Sequence, residues 1–147
     1  MKKLLFVTLI ALSGNLFAQS SPQAMVNAFY ATYQKDAGKA VRDLYATNKW
    51  TSLIQEDVDK IVRTVNGFTL SYMGEYYGYE LITSKKFSES FILYSYMTKY
   101  DRQPIRFIFK FYKPKDKWLL YSFALDDDLD DEIEESAKLN NLIFDQK

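Results

Sequence analysis

The sequence predicts an α+β domain: N-terminal helices packed on one face of an antiparallel four-stranded sheet, with a short C-terminal helix after it. Three observations predict it. Apolar residues recur at three- and four-residue spacing as far as Gly67 and at two-residue spacing beyond it. The strand-like segments are joined by short links of four to seven residues, a length suited to antiparallel hairpins. Helices grouped ahead of strands, rather than alternating with them, place the helices together against one side of the sheet.

The first eighteen residues have their own character. Lys2 and Lys3 precede an apolar run from Leu4 to Leu12, broken only by Thr8. Ser13-Gly14-Asn15 ends the run, and Leu16-Phe17-Ala18 precedes Gln19. A charged start, a short apolar middle and a small residue at the end are the layout of an export signal. The run falls well short of the roughly 20 apolar residues of a spanning helix. With no Cys at the cleavage position, a lipoprotein anchor is excluded. The expectation is an exported protein, cut after Ala18, with no membrane anchor and one domain over residues 19–147.

From Ser20-Ser21-Pro22, a serine cap and a first-turn proline, a helix begins. Met25, Val26, Phe29, Tyr30 and Tyr33 share one of its faces. Gly38 is expected to separate it from a second helix carrying Ala40, Val41, Leu44 and Tyr45. Ser52 and Gln55 have capping-box spacing. Ile54, Val58, Ile61, Val62 and Val65 form the stripe of a third helix, and Asn66-Gly67 suits a left-handed end.

Strands are then predicted over Tyr76–Thr83 with a break at Gly78, and over Phe91–Tyr100, Ile105–Tyr112 and Trp118–Ala124. A two-residue Arg102-Gln103 turn would set Tyr96 opposite Phe109 and Tyr94 opposite Phe111. Pairing Tyr112 with Trp118 would set Phe109 opposite Tyr121 and Phe107 opposite Phe123. One face then carries Tyr94, Tyr96, Phe107, Phe109, Phe111, Tyr121 and Phe123. The other carries Leu93, Met97, Ile108, Trp118 and Leu120 beside Arg106 and Lys110. An apolar outer face of this kind calls for a cover, either a second copy in a homodimer or the C-terminal helix.

Three N-terminal helices followed by an antiparallel sheet resemble the nuclear transport factor 2-like superfamily, also described as cystatin-like. The stretches Tyr77-Gly78-Tyr79-Glu80-Leu81-Ile82 and Phe111-Tyr112-Lys113-Pro114-Lys115-Asp116-Lys117-Trp118 resemble those of small exported bacterial proteins of that kind. The resemblance implies a curved sheet wrapped as a cone around the helices. Members include isomerases, dehydratases, carriers, immunity proteins and plain binding modules. No catalytic motif of the superfamily is matched, so no catalytic residue is implied.

Composition narrows the chemistry. The 147 residues include neither His nor Cys, and 19 basic residues balance 19 acidic ones. A thiol nucleophile, a thiolate metal site and the commonest general base are therefore absent. Eight of the ten residues from Asp126 to Glu135 are acidic. This run reads as the charged start of a helix with Leu129, Ile133 and Ala137 as its buried stripe; the other readings are a loose cation site and an acidic docking patch. No metal site or cofactor is implied. Seven basic residues between Lys99 and Lys117 lie in turns and on the solvent side of strands, so nucleic acid is not expected as a partner. The acidic helix can pair with this basic stretch.

Tyrosine is used where an apolar side chain also needs a hydrogen bond, and there are twelve. Several on one inward face imply either buried hydrogen bonds or room for water and ligand. The functional reading is a partly hollow pocket for a small apolar ligand, bordered by Tyr94, Tyr96, Phe109 and Tyr121 and closed by Phe29 and Ile61. A His-free isomerase- or dehydratase-type enzyme using Tyr with Glu75 or Glu80 is a second reading. A dimeric scaffold or immunity-type protein acting through its sheet face is a third. Mass measurement of the exported protein is expected to show a chain starting at Gln19; recovery of the uncut chain in the membrane fraction would refute the export signal.

Overall fold

The computed structural model describes residues 21–144, with side chains through residue 138. The expected export signal, residues 1–18, lies outside the described residues. Helices α1 (Pro22–Tyr33), α2 (Ala37–Tyr45) and α3 (Gln55–Asn66) come first, with a 3-10 segment (Lys49–Ile54) before α3 and a single turn, α4 (Leu70–Met73), after it. The sheet follows: β1 (Tyr76–Ser88), β2 (Phe91–Tyr100), β3 (Ile105–Tyr112) and β4 (Leu119–Asp126), in the order β1-β2-β3-β4 and antiparallel throughout. Helix α5 (Leu129–Phe144) closes the chain. The α+β class and element order are those the sequence predicts.

The helix starts follow from single side chains. Ser21 Oγ accepts from Ala24 N, and Pro22 fills the first helical position, where its missing N–H costs nothing. Asp36, not Gly38, sets the break before α2: its carboxylate accepts from Lys39 N at 2.8 Å. Gly38 lies inside α2, where an added Cβ would stand 3.0 Å from the Asn66 side chain. It is there for helix packing, not for a turn. The expected capping box is not formed. Ser52 Oγ donates to Lys49 O within the 3-10 segment, and Gln55 Nε2 donates to Thr51 O. Gly67 ends α3 in right-handed backbone rather than the expected left-handed one, its N–H donating to Arg63 O and Thr64 O.

Two glycines in left-handed backbone shape the entry to the sheet. Gly74 (φ +78°) lies so near Asp101 that an added Cβ would sit 2.4 Å from the Asp101 side chain. That closeness lets Asp101 accept from Glu75 N and from Tyr77 OH. Gly78 (φ +96°) marks the first of three irregularities in the β1–β2 pairing, a bulge between Tyr76 and Tyr79. β1 runs on to Ser88, five residues past the predicted end, so the link to β2 is only Glu89-Ser90.

The register departs from the expected one in two ways. β2 pairs with β3 two residues away from it, with Tyr94 opposite Phe109 and Tyr96 opposite Phe107. The reason lies in the loop. Asp101 and Arg102 donate their N–H groups to Glu75 O and Met73 O, so they serve the α4–β1 link instead of closing a two-residue turn. A shift of two leaves every side chain on its expected face. The β3–β4 pairing differs by one residue at Tyr112–Leu119 and by two at Phe109–Phe123, because a bulge lies between. The odd shift at the turn end reverses its side chains. Leu120 points into the core, 2% exposed, and Tyr121 points out, 62% exposed, the opposite of both expectations.

The core lies between the helices and one face of the sheet. Phe107, Phe109 and Phe111 of β3 are fully buried. Phe29 of α1 sits among them, its ring centroid 5.1 Å from Phe109, 5.3 Å from Phe123 and 6.1 Å from Phe107. Val26, Val41 and Val65, from three helices, fill the spaces beside the rings. Edge-to-face and offset ring contacts at these spacings add to the burial energy. Phe109→Ala is expected to destabilise the domain by about 3–5 kcal/mol, the usual range for removing a buried ring. Urea unfolding measures it, and a loss under about 1 kcal/mol would mean that Phe109 borders empty space.

Candidate functional site

The expected pocket residues do not surround one cavity. Tyr96, Phe109 and Phe29 are core residues, each 3% exposed or less. Tyr94 and Ile61 are half-buried and pack on that core. Tyr121 is on the opposite side of the sheet. Phe29 borders a cleft of about 220 Å³ between α1 and α2, which none of the other five lines.

The inward tyrosines are explained by buried hydrogen bonds. Tyr30 OH and Thr98 Oγ1 lie 3.0 Å apart, and Tyr33 OH and Tyr100 OH 2.6 Å. Gln23 Nε2 donates to Tyr96 OH at 3.0 Å, and Tyr45 OH donates to the Phe123 carbonyl. These bonds tie α1 to β2 and α2 to β4. Burial, as the largest cause, pushes the Tyr30 and Tyr33 hydroxyls well above the ordinary phenol value and Tyr76 up to about 12. No proton is poised for transfer near neutral pH on any of them.

The carboxylates named from the sequence are also accounted for. Glu80 forms an ion pair with Lys99 across β1 and β2, and Glu75 is exposed. Of the acidic run, Asp126 and Glu132 converge on Arg106. Asp126 takes it with both oxygens, at 2.8 and 3.0 Å, and Glu132 takes the remaining edge. All three side chains are about a quarter exposed or less than a third. Arg106 thus clips the start of α5 to β3. Asp128 N donates to Asp126 Oδ1 just before the helix begins at Leu129. Leu129 is buried, but Ile133 is 65% exposed and Ala137 is exposed, so the expected buried stripe stops after one residue. Beyond its first turn, the described part of α5 does not lie on the sheet.

That leaves the outer face open. Phe91, Leu93 and Met97 of β2, Ile108 and Tyr112 of β3, and Leu119 and Tyr121 of β4 point outward and are half-buried or exposed. Phe91 is the centre of an aromatic group. Its ring lies 5.3 Å from Tyr121 and 6.5 Å from both Tyr112 and Phe87, and Phe87 is 81% exposed. The sequence reading named Leu93, Met97 and Ile108 here but missed Phe87, Phe91, Tyr112 and Tyr121. The bulge between Lys110 and Phe111 brings Tyr121 to the group, and a bulge leaves only a weak trace in a sequence. Trp118, expected on this face, packs partly against the core with Lys113 Nζ 5.2 Å from its ring.

Comparison of the chain with protein-family models, with curated proteins and with solved structures returns no match.

The buried hydroxyls dictate an alkaline limit to stability. Unfolded tyrosines release their protons near pH 10, while Tyr76 holds its own to about 12 and Tyr30 and Tyr33 still higher. Above pH 10 the folded chain therefore binds more protons than the unfolded chain, and stability falls as pH rises. The urea midpoint is expected to hold from pH 7 to 9 and to drop steadily between about pH 10 and 12. Tyrosinate absorbance of the buried rings should rise only as the chain unfolds. A midpoint unchanged up to pH 12 would refute this.

Proposed function

We propose that this is an exported interaction module that acts through the outer face of its sheet, and that the first partner of that face is a second copy of the chain. One observation carries the reading: the core between helices and sheet is built of buried side chains, whereas the outer face presents Phe87, Phe91, Tyr112 and Tyr121 beside Leu93, Met97 and Ile108 with no element over them among the described residues. Monomeric proteins seldom leave a contiguous apolar patch of this kind uncovered. Four strands about 4.8 Å apart and eight residues long span roughly 19 by 26 Å. That is about 500 Å² in projection, the scale of a stable interface at about 800 Å² of accessible surface per partner. Aromatic residues are the side chains most enriched in such interfaces. A twofold axis over the face lets each Phe91 group meet its own image, as an isologous dimer requires. Export, expected from residues 1–18, and membership of the nuclear transport factor 2-like superfamily belong to the same reading. The order of the elements, helices and then an antiparallel four-stranded sheet, supports that membership.

Sedimentation of the mature chain is expected to give a dimer at micromolar concentration. Phe91→Glu with Tyr121→Glu should give a monomer that keeps its circular dichroism, because both positions lie outside the core. A wild-type chain that stays monomeric at about 100 micromolar, above the dissociation constant of a specific contact, would overturn the dimer.

A further inference from the structure

Away from the sheet face, the 3-10 segment and the β3–β4 turn enclose a groove of about 520 Å³, lined by Thr47, Lys49, Trp50, Pro114, Lys115, Asp116, Lys117 and Leu119. The volume lies within the roughly 300–1,000 Å³ of small-molecule sites. Its lining has two parts. Trp50, Pro114 and Leu119 supply an apolar floor and wall. Lys49, Lys115 and Lys117 supply ammonium groups at the rim, against the single carboxylate of Asp116.

Two features set this groove apart from an ordinary solvated turn. Trp50 is 62% exposed, and Leu53 and Ile54 of the same 3-10 segment are exposed beside it. Trp is the costliest side chain to leave in water, and nothing in the fold requires it there: Thr51, its neighbour, makes the segment's buried hydrogen bonds to Tyr45 O and Asn48 O. In addition, none of the three lysines is in an ion pair among the described residues. Lys49 Nζ instead stands 5.1 Å from the centre of the Trp50 ring, so cationic and aromatic groups face the same space. The groove is held in shape from beneath. Thr47 Oγ1 accepts from Leu120 N, and Asn48 Nδ2 donates to Leu120 O, fixing the 3-10 segment to the first residues of β4.

We propose that this groove binds an amphipathic carboxylate of the fatty-acid type. The carboxylate sits among the ammonium groups of Lys49, Lys115 and Lys117, whose excess over Asp116 is two positive charges. The hydrocarbon chain lies over Trp50, Pro114 and Leu119. Neither half of the site selects this ligand alone. An inorganic anion gains nothing from the apolar floor, and an uncharged hydrocarbon leaves the lysines unmatched. The site is separate from the outer sheet face and does not depend on the dimer.

The test uses the mature chain and sodium dodecanoate, kept below its micelle concentration, with Trp emission and calorimetry as readouts. A saturable blue shift is expected. It should vanish in Trp50→Phe, which leaves Trp118 as the remaining tryptophan. Dodecanol, with the same chain and no charge, and acetate, with the charge and no chain, should each bind at least about tenfold more weakly. Lys49→Glu with Lys117→Glu should weaken dodecanoate by calorimetry at least about tenfold with no change in melting temperature, since both side chains are on the surface. Equal binding of dodecanol and dodecanoate would overturn the proposal, as would binding undiminished in the lysine variant. Vesicles of anionic phospholipid that shift the Trp50 emission when dodecanoate does not would overturn it in favour of a lipid surface.

Discussion

The structure depends on the burial of one strand. β3 sends Phe107, Phe109 and Phe111 into the helices, and all three are fully buried. The elements around it are placed by the need to cover these rings. Phe29 of α1 enters between them, Phe123 of β4 closes one side and Tyr96 of β2 the other. The helices lie directly on the rings, with Phe29 packed among them.

That packing explains why so many tyrosines face inward. A sheet dressed with aromatic residues is apolar, and α1 must be located on it in one position rather than sliding along it. The hydroxyls supply the location. Tyr30 with Thr98, Tyr33 with Tyr100 and Gln23 with Tyr96 make three separate hydrogen-bonding contacts between α1 and β2. Each is worth only about 1 kcal/mol when made, but a buried hydroxyl left unpaired costs about 1–3. Misplacing α1 by one turn would break all three, so these bonds specify the docking more than they strengthen it. The same burial that fixes the helix raises the Tyr30 and Tyr33 hydroxyls well above the ordinary phenol value.

Charge does its work on the other side of the sheet. Arg106, on the outer side of β3, gathers Asp126 and Glu132 and so brings the start of α5 to the sheet edge. It holds one end of that helix only, and the described part beyond the first turn does not cover the outer face. The apolar residues there, gathered around Phe91, are thus left uncovered among the described residues. The Trp50 groove arises in a similar way. Hydrogen bonds from Thr47, Asn48 and Thr51 hold the backbone around the 3-10 segment, and Trp50 is displayed rather than buried.

Periodicity alone determined the class, the order of the elements and most of the core. Val26, Phe29, Val62, Phe107 and Phe109 fall where a 3.6- or two-residue repeat puts them, because each repeat records which face of a helix or strand avoids water. The signal-like start and the lack of His and Cys were equally plain. Register was decided only by the tertiary structure. Asp101 was drawn away from a tight turn by the backbone of Glu75 and the hydroxyl of Tyr77, and a bulge after Lys110 reversed Leu120 and Tyr121. The inward tyrosines carried the same ambiguity. A Tyr that borders a cavity and one bonded to a helix are chosen for the same chemistry, a ring that sheds water and a hydroxyl that needs a partner. Which partner it meets depends on residues some seventy positions away, and no local pattern carries that information.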